Sequence, residues 1–506
     1  MATIRGATLI LAVGIIFANF FGVSKSILIA NYFGIGPGLD AYYIAIIPPM
    51  VLTWLVLGAM QSSLIPVFIE FKTKGEEIKG YEVFQSFFTL AVIAFFILTV
   101  LMNSFSNVII SIIAPGFQDE RLALASHLLK IVSPIILFGG ISDLISGLFN
   151  ANKKFTMPAF GAGINIMTSL AYLILFRSQG IYALAIGLLI GSLTQCVYMI
   201  SGAIKADMTL GINFNFKNAG VKKILYLMAP MLLGLSFSHS NIIVDQIMAS
   251  LLPIGSIAAL NYANSINDII SQLFILSIGS AIFPFFSQLV AEKRTEDLKE
   301  TFYTAVRMAA FVLIPLTVLV MILGKPAVHI VLEKGQFDNN STTAVSGAWK
   351  AFSLGLFAFA TNVITARALA SYGRTKFLAT VAFVSIFINV ILNFILMRYL
   401  NHVGIALSTS LTSFLSTFQL IFLFHKVVGD LNIKKMLFSI MRITLYSLGT
   451  GLAVYLASRL IDVTQIYGII VAGFSGLLVY LLFAWLGQLQ ELKIILGQRL
   501  SRYMRI

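Results

Sequence analysis

The chain has 506 residues, 58% of them apolar and only 11% charged, with a formal net charge of +14. Soluble globular domains do not carry that balance. Apolar runs of spanning length recur from end to end, which also excludes a single anchor on a soluble body. The basic residues lie mostly in short loops between those runs, where they report topology rather than affinity for nucleic acid. The single cysteine, Cys196, leaves no intrachain disulfide to form.

Taken in chain order, runs of about 20 apolar residues predict about fourteen transmembrane helices in an all-α polytopic membrane protein. Their cores fall at 8–34, 39–70, 83–113, 123–149, 157–176, 180–204, 221–250, 255–289, 301–332, 343–372, 377–397, 403–425, 436–460 and 465–486. The run after Arg5 is too long for a signal-peptide core, so the first helix is expected to stay uncleaved. With the N-terminus inside, Lys72, Lys74, Lys153, Lys154, Lys205, Lys222, Lys223, Arg294, Arg374, Lys434 and Lys435 share one side. The other side holds chiefly Arg121, Arg177, Lys334, Arg398 and Arg459. That bias predicts an even number of spans with both termini cytoplasmic.

The first two spans carry the polar exceptions that organise the reading. Lys25 lies well inside the first, Asp40 opens the second after the turn Gly34-Ile-Gly-Pro-Gly38, and Pro48-Pro49 interrupts it. A lysine at that depth, about 13 Å from the nearer helix end, is further in than a lysine stem comfortably reaches back to water. Ionisable groups there face a wet cavity or a partner, and paired prolines free carbonyls where a helix lines a cavity. The two helices are therefore expected to wall a polar chamber. Lys25 is the candidate contact for an anionic substrate, as a compact point charge. Its alternative is an ion pair with Asp40, and the alternative for Asp40 is a helix N-cap.

The chain also repeats itself. Lys130-Ile-Val-Ser133 answers Lys350-Ala-Phe-Ser353, Lys154-Phe155 answers Lys376-Phe377, and Gly180-Ile181 answers Gly404-Ile405, at an offset of about 220 residues. Two parallel repeats of about six spans follow, with the substrate site expected between them. The expected divisions are an N-lobe over 1–215, a C-lobe over 216–430, two further helices over 431–486, and a basic amphipathic tail over 487–506.

The loops are too short for a catalytic domain, and the five histidines lack zinc spacing, so the chemistry expected is transport rather than catalysis. On the eighth span Asn261, Asn264 and Asp268 share one face at i, i+3, i+7, where they either line the cavity or join helices. On the seventh, Ser236, Ser238, His239, Asn241 and Asp245 cluster; Asn389 and Asn393 lie one turn apart on the eleventh, and Thr409 is on the twelfth. Such oxygens suit a hard cation such as sodium, although asparagines also simply bridge helices. Asp143 and Arg367, on the fourth and tenth spans, receive no role from the sequence.

Several motifs in order resemble the MurJ/MviN family. They are Gly22-Val-Ser-Lys25, Asn31-Tyr-Phe-Gly34, Asp40-Ala-Tyr-Tyr-Ile-Ala45, Ala114-Pro-Gly-Phe117, Asn150-Ala-Asn-Lys-Lys-Phe155, Met157-Pro-Ala159 and Lys334-Gly-Gln-Phe337. The resemblance runs over essentially the whole chain. It implies a flippase of the bacterial inner membrane for lipid II, the undecaprenyl-pyrophosphate-linked peptidoglycan precursor. It also implies two six-helix lobes around a cationic cavity, and a lipid-tail groove formed by the last two helices. Lys25 falls on a cavity arginine of the family, and Asp40 and Asp268 fall on acidic positions. Three other cavity arginines read Asn19, Thr53 and Ser265 here. Asp245, Asn389, Asn393 and Thr409 match the layout of a sodium site in some members, which makes sodium the implied coupling ion. The implied partners are a polyprenyl-pyrophosphate-linked saccharide, membrane lipid and envelope-synthesis proteins. The alternatives are a flippase for another lipid-linked oligosaccharide, a cation-coupled multidrug exporter of the same fold, and a non-transporting scaffold.

Overall fold

The computed structural model describes residues 4–492 and Ile494, with backbone alone at 4–9, 57, 61, 233–239, 276, 277 and 280. Among the described residues the chain is helical throughout, without strands. Two compact units meet in sequence at Ala258 and Ala259. The first holds α1 (Ile4–Phe33), α2 (Pro37–Thr73), α3 (Glu77–Ser104), α4 (Ser106–Ile113), α5 (Asp119–Val132), α6 (Ile135–Ala151), α7 (Thr156–Leu175), α8 (Ile181–Lys205) and α9 (Ala219–Ser250). Helix α10 (Ser256–Ile270) crosses the division. The second unit goes on through α11 (Ser277–Ala291), α12 (Thr295–Leu332), α13 (Asn339–Leu354), α14 (Leu356–Ser371), α15 (Thr375–Val428), α16 (Ile433–Leu460) and α17 (Ile466–Leu486).

The expected span cores fall largely on helix, and among the described residues eleven helical stretches are long and apolar enough to cross a membrane, against the fourteen expected. Several spans are interrupted. Ser133-Pro134 separates α5 from α6, and a π turn over Ser271–Leu276 separates α10 from α11. Helix α15 covers two expected spans and breaks at Asn401, whose φ of 49° leaves the helical region. Three residues on, a Cβ at Gly404 would lie 2.3 Å from Leu396 O, so only glycine lets the chain fold back so closely.

Within the first unit, α1 lies on α7 and α7 on α8. A Cβ on Gly14 would meet Ala159 O at 2.3 Å, and one on Gly163 would meet the Phe17 ring at 2.2 Å. Small residues of this kind let apolar helices approach without a hydrophobic drive between them. The expected lobe division near 215 follows the repeat, whereas contacts group α9 with the first unit because it runs along α2. Lys223 Nζ lies 2.6 Å from Glu70 Oε2 at one end of that packing. At the other, Gly116 is flush against Ser250, where a Cβ would meet the carbonyl oxygen at 2.1 Å.

In the second unit, Phe302, Val306, Ala309, Ile364, Ala368 and Phe424 centre one core on α12, α14 and α15. A smaller one joins α12 to α16 and α17. It contains Leu489 and Leu492, from the start of the expected tail. Those two leucines face helices rather than lipid, and most of the remaining tail lies outside the described residues.

Candidate functional site

Lys25 sits on α1 and turns toward α7, where its ammonium donates to Ser169 Oγ at 2.7 Å. Ser169 is buried. One turn earlier on α7 the Asn165 amide donates to Gln195 Oε1 at 2.9 Å and to Ser192 Oγ at 3.3 Å, both on α8. Among the described residues no carboxylate pairs with Lys25. A hydroxyl partner orients the ammonium without neutralising it, so its charge stays available to an anion.

Asp40 is treated in the opposite way. It is fully buried, Oδ2 accepts the Gly255 N–H at 2.7 Å, and Oδ1 accepts the Ala258 N–H at 2.8 Å. The Arg121 guanidinium reaches Oδ2 at 3.3 Å while lying over the Phe117 ring at 4.1 Å. The ion pair of Lys25 with Asp40 is therefore not the arrangement found. Nor does Asp40 cap its own helix, whose N-cap position is Gly36 without a side-chain cap. It caps α10, supplying acceptors to N–H groups that a helix start leaves without partners. Arg121 and the start of α10 are the functional neighbours that sequence reading missed. An aspartate at a helix start gave the right chemistry and pointed to the wrong helix.

On α10, Asn264 Nδ2 donates to Asp268 Oδ2 at 3.0 Å, and both side chains are exposed. Asn261 is half-buried on the same face, and Asn267 Oδ1 is buried with no hydrogen-bond partner. The π turn begins just beyond Asp268, the kind of interruption that often accompanies functional sites. Lys25 and Asp40 belong to the first unit, while Asn261, Asn264 and Asp268 belong to the second.

The expected cation ligands divide likewise, with Asp245 on α9 in the first unit and Asn389, Asn393 and Thr409 on α15 in the second. The side chains of Ser236, Ser238 and His239 lie outside the described residues. In the second unit, Asn393 Nδ2 donates to Asn389 Oδ1 at 3.1 Å and Asn393 Oδ1 accepts from the Ser408 hydroxyl. Thr409 Oγ1 donates to Ile405 O at 3.1 Å. The buried polar atom left without a partner is Asn389 Nδ2, a nitrogen. An amide nitrogen repels a cation, so this part of the set fits sodium only with the Asn389 amide turned over. Among the described residues no cluster of three His, Cys, Asp or Glu side chains exists to hold a metal.

The loop motifs act as fasteners. Phe337 of Lys334-Gly-Gln-Phe337 is buried against Tyr262 of α10, ring centroids 5.6 Å apart. Asn152 of Asn150-Ala-Asn152 accepts from Lys72 Nζ at 2.7 Å.

A sequence model of a protein family described as Lipid II flippase MurJ matches residues 29–476. A curated protein of Buchnera aphidicola subsp. Schizaphis graminum named "Probable lipid II flippase MurJ" is 28% identical over 435 residues, covering 84% of each chain. One of the same name from Vibrio cholerae is 26% identical over 415 residues, covering 79% of each. A solved structure titled "Lipid II flippase MurJ, inward closed conformation" superposes with a TM-score of 0.82 at 26% identity, covering 94% of this chain and 98% of the other. An inward-facing multidrug resistance MATE family transporter superposes with a TM-score of 0.70 at 12% identity, a likeness of fold alone.

Proposed function

Because the chain belongs to the lipid II flippase MurJ family, we propose that it carries lipid II across the bacterial cytoplasmic membrane by alternating access, both termini on the cytoplasmic side, and that Lys25 meets the pyrophosphate. It is a multi-pass membrane transporter, and its substrate is a polyprenyl-linked saccharide. The observation that supports the role of Lys25 is its partner, a hydroxyl at 2.7 Å with no carboxylate. An ammonium held in place but not neutralised is what a diphosphate entering an apolar surrounding requires. Asn19, Thr53 and Ser265 carry no charge, so Lys25 takes a larger share of the neutralisation than a cluster of arginines would leave it. Asn261, Asn264 and Asp268 offer hydrogen bonds to a polar headgroup. Asp40 fixes the start of α10.

Charge movement is driven by membrane potential or by sodium at the Asp245 cluster. A charge moved across the membrane is worth about 2.3 kcal/mol per 100 mV.

The test is exposure of labelled lipid II in cells depleted of their own flippase and complemented with this chain. Wild type and Lys25→Arg restore exposure and growth, while Lys25→Ala is made and inserted but restores neither. Full rescue by Lys25→Ala sinks the role of Lys25. Failure of the wild type, in a host whose lipid II it should accept, sinks lipid II as substrate.

A further inference from the structure

Asp143 lies midway along α6, about 12 Å from either end at the helical rise. Gly139, Asp143 and Gly147 follow one another at i, i+4, i+8 and so share a stripe of the helix. That stripe faces α2, with Asp143 half-buried. A Cβ on Gly139 would sit 3.5 Å from Thr53 Cγ2, and one on Gly147 would sit 3.6 Å from Leu64 Cδ2. The two glycines bring α2 close on both sides of the carboxyl group.

Among the described residues no hydrogen bond or ion pair reaches that carboxyl group. The nearby hydroxyls donate to their own helices, Ser142 Oγ to Phe138 O and Thr53 Oγ1 to Pro49 O, both at 2.8 Å. The helices packed on α6 are α2, α3, α7 and α8. Helix α2 has no ionisable residue between Thr53 and Leu64, and α3 has none from Val83 to Ser104. Helix α7 offers Tyr172; α8 offers Tyr182, Cys196, Tyr198 and, at its end, Lys205. Cys196 is buried and makes no hydrogen bond to Asp143. Within the span, α5 adds only His127 and Lys130. None of these forms an ion pair with Asp143.

An ionised carboxylate between apolar helices, without a counter-charge or a donor, is among the costliest states a side chain can take, and such a group neutralises instead. A metal ion would need several oxygen ligands, and no metal-holding cluster is present among the described residues. We propose that Asp143 is a proton-binding site of the first unit, protonated while α2 covers it and deprotonated when water enters the seam between α2 and α6. In that step the carboxyl O–H bond breaks, the proton passes to water and the carboxylate remains, hydrated. Proton occupancy then depends on the packing of α2 on α6, whatever the transported substrate is.

The test is infrared spectroscopy of the purified full-length protein in lipid bilayers at neutral pH. The carbonyl stretch of a protonated carboxyl group is expected in wild type and in the surface control Asp430→Asn. It should lose amplitude in Asp143→Asn and move in frequency in Asp143→Glu, which keeps a carboxyl should the amide variant not fold. Asp143→Asn should also unfold at a temperature no lower than wild type above neutral pH, since the amide copies the neutral acid. Superimposable carbonyl regions for wild type and both variants overturn the proposal. So does a carboxylate band that responds to sodium at constant pH, which would mark a cation site. None of these readouts depends on lipid II, so the proton site and the flippase reading fail separately.

Discussion

Lys25 and Asp40 stand on consecutive helices of one unit, both ionisable and both inside apolar runs, and the fold handles them in opposite ways. Asp40 accepts two backbone N–H groups and a guanidinium. Lys25 has a hydroxyl. A carboxylate with that many partners is part of the fastening, whereas an ammonium with one neutral partner retains most of its charge for something else. The contrast separates an ionisable residue whose charge is consumed within the fold from one whose charge is not, a distinction that ionisability alone does not make.

The largest effect that can break this contrast is at Asp40. Asp40→Ala leaves Arg121 and two N–H groups buried without an acceptor, and breaking a buried pair from one side costs about 3–5 kcal/mol. Thermal unfolding of the purified variant should show that loss, and Arg121→Ala should show less because the backbone donors keep their acceptor. Equal, small losses in both would mean that Asp40 is no fastener. A second buried pair sets the next step down. Arg307 Nε lies 2.6 Å from Glu491 Oε1, Arg307 Nη1 donates to Gln490 at 2.9 Å, and Arg442 reaches Gly487 O. Together they strap the residues after α17 to α12 and α16. Glu491→Ala should cost about 2 kcal/mol, the range of a hydrogen bond to a charged group, and should ease proteolysis after Leu486.

Lys25 provides the opposite signature. Lys25→Met should leave the unfolding temperature unchanged or raise it, since removing an unneutralised charge from an apolar span relieves a cost. Lipid II exposure should nevertheless fall by about tenfold, equivalent to about 1.4 kcal/mol. A variant that loses stability and transport together would place Lys25 with Asp40 among the fasteners.

These residues also show where the sequence is readable. Spans are legible because a stretch of about 20 apolar residues has few other fates. The turn at Gly34 was legible, where a positive φ demands glycine. The partners of Asp40 were not, because Gly255 and Ala258 lie 215 and 218 residues further on and an aspartate at a helix start points equally to its own helix. What covers the leucines after α17 was not legible for a related reason. An apolar stripe at helical spacing looks the same whether protein or lipid covers it, and Leu489 and Leu492 are covered by protein. In the asparagine pair the spacing put both amides on one face, but which amide atom would be left over is decided by Ser408, on the far side of the break at Asn401.

The smallest effect tests whether the loop motifs are fasteners of the same kind as Asp40. Glu333, just before Lys334-Gly-Gln-Phe337, accepts from His329 Nδ1 at 2.7 Å and from Thr342 Oγ1 at 2.5 Å. Those two bonds, the histidine's first, hold its carboxyl below the ordinary value of 4.5. A carboxyl with a depressed folded value stabilises the fold above its unfolded value, and that contribution is lost as pH falls through the folded value. The window therefore lies below 4.5. The site is near the surface, so the gain is screened and amounts to about 0.5 kcal/mol. Denaturant titrations of wild type and Glu333→Gln should differ by that amount at neutral pH and converge as the pH drops through the acidic window. A gap that stays constant or widens in acid would show that this carboxylate does not fasten the loop. Phe337 against Tyr262 would then carry the motif by packing alone.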